Sequence, residues 1–182
     1  MLLLQAICQD SYQIRQTGSR RSPMSIRITD FVIREAIVPA ITAVTKEAVI
    51  RELVSSVKST GKVAEGDEEN IVKAILRREQ LGSTGIGRGV AIPHAKHESV
   101  GKLIGTVGLS PAGIAFESLD NEPVKIFVTL LYAPERPGEH LRALEAVSRL
   151  LRDEKFCEKL LNCKTRDEVW QLLCEADGVS SR

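Results

Sequence analysis

Between Thr45 and Gly61 the apolar residues fall at Val49, Ile50, Leu53, Val54 and Val57. That spacing lines one face of a helix, with Thr45 placed to cap its start and Gly61 to end it. A second helix is predicted from an Asp67 cap. It carries Ile71, Val72 and Ile75, and has Arg77 and Arg78 in its last turn, where cations suit the helix dipole. Val124–Tyr132 breaks the helical rhythm. It is apolar almost throughout, as expected of a central strand covered on both faces. Shorter extended segments are predicted at Ala36–Ile41, with an edge or bend at Pro39, at Val90–Ile92 and at Leu103–Leu109. Ser110-Pro111-Ala112-Gly113 reads as a turn. After the breaks at Pro134 and Pro137, His140 opens a helix with a core stripe of Leu141, Leu144, Val147, Leu150 and Leu151. Asp153–Leu161 and Thr165–Glu175 are two shorter helices, and Thr165 with Glu168 forms a capping box. The sum is one α/β domain whose helices cover both faces of a sheet.

Order is expected to start near Ile26. Residues 1–26 hold Gln, Ser and Thr, the cluster Gly18-Ser19-Arg20-Arg21 and Pro23. They read as a disordered extension, and Met24 is an alternative start. The chain has 182 residues, enough for one sizeable core, and 25 Lys+Arg against 24 Asp+Glu. That balance argues against a nucleic-acid partner. No apolar run reaches the roughly 18 residues of a membrane helix, so no membrane insertion is expected. MLLLQAIC lacks the basic start and the apolar length of a signal peptide. Cys8, Cys157, Cys163 and Cys174 show no C-x-x-C spacing. A reduced, cytoplasmic protein is the reading.

The chemistry concentrates in GSTGIGRGVAIPHAKH, residues 82–97, where four glycines precede Val90-Ala91-Ile92, a proline and His94. A dinucleotide fingerprint from Gly85 would need a third glycine at Val90. A P-loop from Gly82 would need Lys and Ser/Thr where Arg88-Gly89 stand. Zinc on His94, His97 and His140 lacks an H-E-x-x-H or a cysteine pair, so no metal and no cofactor are expected. What remains is histidine itself as a nucleophile. Neutral imidazole has a free lone pair near pH 7 and can take a phosphoryl group, given cations and N–H donors for its oxygens. Arg78 is the candidate cation, with Arg77 and Arg88 as rivals. His97 reads as solvent-facing.

RREQLGSTGIGRGVAIPHA together with PGEHLRALEAVSRLLRD resembles the fructose/mannitol-type enzyme IIA of the bacterial phosphotransferase system, nearest its free-standing nitrogen-regulatory branch. The resemblance spans about residues 27–176, within a domain drawn at 27–178. It implies a mixed sheet flanked by helices. It also implies His94 as phosphoryl acceptor, His140 in support and Arg78 as the phosphate-stabilising cation, sixteen residues before His94. The implied partner is an HPr-type phosphocarrier. An enzyme IIB or a regulated protein would be next in line, since the chain shows neither the cysteine loop of an enzyme IIB nor the membrane spans of an enzyme IIC. Two functions therefore stand open: a phosphoryl carrier, or a regulatory binding module without onward transfer. The absence of a fused transporter favours regulation.

Overall fold

The computed structural model describes residues 26–179, so the expected extension and the alternative start at Met24 lie outside the described residues. Among these residues are five strands, β1 (Gly85–Gly87), β2 (Val90–Ala91), β3 (His94–Lys96), β4 (Ile104–Ile114) and β5 (Val124–Tyr132). Five α-helices pack on them: α1 (Lys46–Lys58), α2 (Glu68–Gln80), α3 (Pro137–Leu150), α4 (Glu154–Asn162) and α5 (Arg166–Asp177).

The sheet is mixed and built around β5. One edge of β5 pairs antiparallel with β4. Its other edge pairs in parallel with β2 through Ile126 and Phe127, and with β3 through Leu130, Leu131 and Tyr132. Outside β4, the segment after the 3-10 turn Arg34–Ala36 runs as an edge, with Val38 N–H on the Val107 carbonyl at 2.9 Å and Ile41 N–H on Leu109 at 2.8 Å. That agrees with the extended reading from Ile37 on, while Ala36 still belongs to the 3-10 turn.

Alternation along β5 sends its side chains to two cores. Ile126, Val128 and Leu130 join Val107, Leu109, Val147, Phe156, Leu160 and Val169, the layer of α3, α4 and α5. Phe127 and Leu131 join Val49, Leu53, Val57, Ile71 and Ile75, the layer of α1 and α2. Helices thus lie on both faces, and β5 is apolar almost throughout because, beyond the exposed Lys125, both of its faces are covered. Phe116 and Phe127 meet edge to face, with centroids 5.3 Å apart.

Local chemistry sets most boundaries. Thr45 accepts from the Ala48 N–H, and Thr165 and Glu168 close their capping box. Asp67 occupies the cap position of α2 but its side chain makes no capping bond. Between β1 and β2, Arg88 (φ 58°) and Gly89 (φ 73°) form a two-residue hairpin turn with positive φ at both positions. The Asp120 carboxylate holds the turn by accepting the Arg88 N–H at 2.6 Å.

Three expectations need correction. Residues 110–113 are not a turn but part of β4, whose register against β5 shifts between Leu109 and Ile114. Pro111 is tolerated there because it lies exposed in the irregular stretch, where no regular ladder bond needs its N–H. In α3 the helix begins at Pro137, three residues before His140, because proline suits a first helical position. Leu141 is also not core: it is 57% exposed, while Ala143, Ala146 and Val147 face the sheet.

Gly105 on β4 allows the close approach of β5. A Cβ there would stand 2.7 Å from the Thr129 carbonyl oxygen, a backbone atom that cannot move aside. We expect Gly105→Ala to lose about 1–3 kcal/mol in urea denaturation. Gly138→Ala, whose Cβ meets nothing within 4 Å, should be neutral or gain up to about 1 kcal/mol.

Candidate functional site

His94 opens β3, opposite Leu130 in the register with β5. Between β2 and β3 the ladder is interrupted at Ile92 and Pro93. The Ile92 N–H turns to the Thr84 carbonyl at 3.0 Å. The Ile92 carbonyl lies 2.8 Å from His94 Nδ1, so in the neutral ring Nδ1 carries the proton and donates it. That leaves the lone pair on Nε2. Arg78, in the last turn of α2, donates from Nε to His94 Nε2 at 3.3 Å and from Nη1 to the Gly82 carbonyl at 2.9 Å.

Burial holds His94 below the usual imidazole pKa, and the positive charges of Arg78 and His140 push the same way. The Ile92 carbonyl and the more distant Glu79 oppose them without prevailing. The ring is therefore neutral at pH 7, with its lone pair toward a guanidinium.

From the other layer comes His140, in the first turns of α3. Its ring stacks on Tyr132 at the end of β5, with centroids 4.2 Å apart and planes 7° from parallel. His140 Nδ1 is buried and has no hydrogen-bond partner among the described residues. Burial raises the Tyr132 hydroxyl above its usual pKa, and nearby Arg78 opposes this in part. The structure thus brings His94, Arg78, His140 and Tyr132 to one rim, where the C-terminal end of β5 meets the end of α2 and the start of α3.

Other candidates lie elsewhere. Arg88 forms an ion pair with Glu154 at 2.7 Å, so the hairpin's cation is committed to α4. Arg77 is exposed. His97 is half-buried, not solvent-facing: its Nδ1 lies 2.7 Å from the Ser99 hydroxyl and accepts the Ser99 N–H at 3.3 Å. That turn carries the chain out of β3.

The glycine stretch is fixed from below by Glu79, a carboxylate only 6% exposed. It accepts from the Thr84 N–H at 3.1 Å and from the Thr84 hydroxyl, and pairs with Lys46 Nζ at 2.9 Å. Burial pulls Lys46 down, but the Glu117 and Glu79 carboxylates outweigh it and hold the ammonium above its usual pKa. Sequence reading passed over Tyr132, Glu79, Lys46 and Thr84. A signal existed for Glu79: it stands four residues after Ile75 and seven after Val72, a charge on the apolar stripe of α2.

A neutral, half-buried imidazole facing a fixed guanidinium is equipped to receive a phosphoryl group, and a mixed sheet between two helical layers carries it. Residues 31–176 match the family described as the phosphoenolpyruvate-dependent sugar phosphotransferase system, EIIA 2. The chain belongs to that family, a class of phosphoryl-carrier and regulatory proteins. It is 38% identical over 148 residues to the nitrogen regulatory protein of Bradyrhizobium diazoefficiens, covering 80% of this chain and 94% of that one. It is 34% identical over 152 residues to the fructose-specific EIIABC component of Bacillus subtilis, covering 84% of this chain but 24% of that one. Among solved structures it is similar to the nitrogen regulatory protein IIA-Ntr of Neisseria meningitidis, with a TM-score of 0.73, 26% identity and coverage of 80% and 98%. It is also similar to the Escherichia coli complex of enzyme IIAMTL with phosphorylated enzyme IIBMTL, with a TM-score of 0.65, 28% identity and coverage of 78% and 95%. No helix of the described residues is long and apolar enough to cross a membrane.

The lowered pKa of His94 has a pH signature. The folded ring binds a proton more weakly than the unfolded one, whose ordinary value is 6.5. Its contribution to stability is therefore complete above 6.5 and falls as the pH drops from there through the lowered folded value. We expect His94 in a 15N NMR titration to remain neutral with the proton on Nδ1 through pH 7, and to charge only below 6.5. We expect His94→Gln to flatten the stability slope in that window.

Proposed function

We propose that His94 is the phosphoryl acceptor of a cytoplasmic phosphotransferase chain, that Arg78 stabilises the transferred group, and that His140 supports it. Residues 27–178 form the unit that does this. The observation that carries the reading is the contact of Arg78 Nε with His94 Nε2 while Nδ1 donates to Ile92. It leaves the nucleophilic lone pair on the one ring nitrogen that faces a cation.

The donor is a phosphohistidine carrier of the HPr type. Nε2 attacks phosphorus, the P–N bond to the donor breaks, and the electron pair returns to the donor ring. That ring leaves neutral when its second nitrogen carries a proton. His94 becomes a phosphoimidazolium whose Nδ1 keeps its proton and goes on donating it to the Ile92 carbonyl. Positioning and charge stabilisation do most of the work in such transfers. The guanidinium leaves Nε2 and binds two phosphoryl oxygens at once.

Onward transfer to an enzyme IIB is supported by the similarity to the IIAMTL protein that forms a complex with one. A regulatory role is supported by the similarity to a nitrogen regulatory protein over 94% of that relative's length. The two differ in whether a phosphate on His94 moves on or whether the protein, by its phosphorylation state or its presence, acts on a partner.

Incubation with enzyme I, HPr and phosphoenolpyruvate should add one acid-labile phosphate to the wild type and none to His94→Ala, as read by intact mass. A wild type that stays unmodified with its cognate donor, or a His94→Ala protein that gains the label, defeats the reading. In rapid-quench transfer, Arg78→Lys should slow about tenfold to a hundredfold, because lysine keeps the charge but loses the fork. Arg88→Ala, which touches only α4 and its approach, should transfer close to the wild-type rate. The reverse order would move the cation to the hairpin.

A further inference from the structure

Glu79 occupies a place on α2 where the pattern calls for an apolar side chain, and it is almost wholly buried. A buried ion pair is poor value for stability, since apolar residues of similar volume often serve as well or better. Its partners suggest what it does instead. Both carboxylate oxygens lie near the Thr84 N–H, at 3.1 and 3.2 Å, and one takes the Thr84 hydroxyl. Lys46 balances the charge, reaches on to Glu117 at 2.9 Å, and sits 4.8 Å from the centroid of the Phe116 ring.

None of these groups is bonded to His94, yet both nitrogens of its ring are located through them. On one side, Glu79 holds Thr84, the Thr84 carbonyl holds the Ile92 N–H at 3.0 Å, and the Ile92 carbonyl holds His94 Nδ1 at 2.8 Å. On the other, Glu79 directly follows Arg78, whose Nε meets His94 Nε2 and whose Nη1 is tied to Gly82, two residues before Thr84. The end of α2 and the start of the glycine stretch are thereby pinned to each other at a single carboxylate.

We propose that Glu79, with Lys46 as its counter-ion, is a positioning residue for phosphoryl transfer: it fixes the tautomer of His94 and the reach of Arg78 by clamping Thr84 to the end of α2. The inference rests on His94 being the acceptor, and one arm of its test does not require that. In the wild type, 15N–1H spectra should show His94 with its proton confined to Nδ1. In Glu79→Gln/Lys46→Met, which removes both charges together, denaturation should find a folded protein of near wild-type stability. Its His94 should show a mixture of tautomers. Its maximal transfer rate should fall about tenfold to a hundredfold, since small misplacements cost this much, while the KM for phospho-HPr stays put. Glu79→Gln alone strands Lys46 and should be less stable than the pair. Thr84→Val keeps the ion pair and loses only the hydroxyl contact, and should shift the tautomer balance partway.

A folded double variant with the wild-type His94 spectrum and rate overturns the proposal, leaving the ion pair a structural feature. A slowed rate with an unaltered His94 spectrum overturns it too. If neither Glu79 variant folds, an unaltered His94 spectrum in Thr84→Val does the same. If the wild type accepts no phosphate from its cognate donor, the acceptor reading fails, and the spectra alone decide whether Glu79 positions the ring.

Discussion

The site depends on a two-residue gap in one line of strand. β2 and β3 lie on the same edge of β5, and Ile92 and Pro93 separate them. Proline has no N–H to give, and the Ile92 N–H is spent on Thr84 instead of on β5. The ladder resumes at once, because the Pro93 carbonyl accepts the Leu130 N–H at 2.9 Å. The gap is thus long enough to turn the Ile92 carbonyl onto the His94 ring and short enough to keep β3 in register. Without the first effect the tautomer has no anchor. Without the second the imidazole has no fixed position.

Around that gap the two helical layers contribute opposite walls. α2, packed on the Phe127 face, carries Arg78 and Glu79 in its last turn, and α3, packed on the Val128 face, brings in His140. Because β5 is buried on both faces, its end is the natural place where groups from both layers meet. Tyr132 is the residue of β5 that does so, half-buried and stacked on His140. Its ring gives the imidazole a flat support, which two histidines and an arginine alone would lack.

Much of this was legible in the sequence where one local rule acts alone. The α1 stripe from Val49 to Val57 needs only helical periodicity, and β5 needs only a nearly continuous apolar run. The Thr165–Glu168 box needs only a spacing of three. His94, Arg78 and His140 follow from motif and family pattern, and the fold brings the three to one rim. What was not legible depends on pairing or on distance. Ser110-Pro111-Ala112-Gly113 has turn composition, yet β5 runs alongside and holds it in β4 through a register shift. His94 follows a proline, and only the register with Leu130 makes it a strand residue. The pairing of Arg88 with Glu154 joins residues 66 apart, which no local rule gives. Tyr132 becomes a site residue only when α3 lays His140 across it.

The resting charges bear on how the site can work. A neutral ring beside a guanidinium leaves the rim net positive before any ligand arrives, and a phosphoryl group brings two negative charges to it. The Arg78–His94 contact, at 3.3 Å, is long for a hydrogen bond, so giving it up sacrifices little. What replaces it in the proposed reaction is charge-assisted on both sides and about twice as strong as a neutral bond. The anchor on Gly82 lets the guanidinium keep one contact while the other changes hands. The Nδ1–Ile92 bond also gains, because the ring that donates it acquires a positive charge. In the proposed reaction the contacts that position ring and guanidinium are thus cheaply released, kept or strengthened when phosphate binds, which is the asymmetry a carrier needs if it is to be loaded by one partner and read or emptied by another.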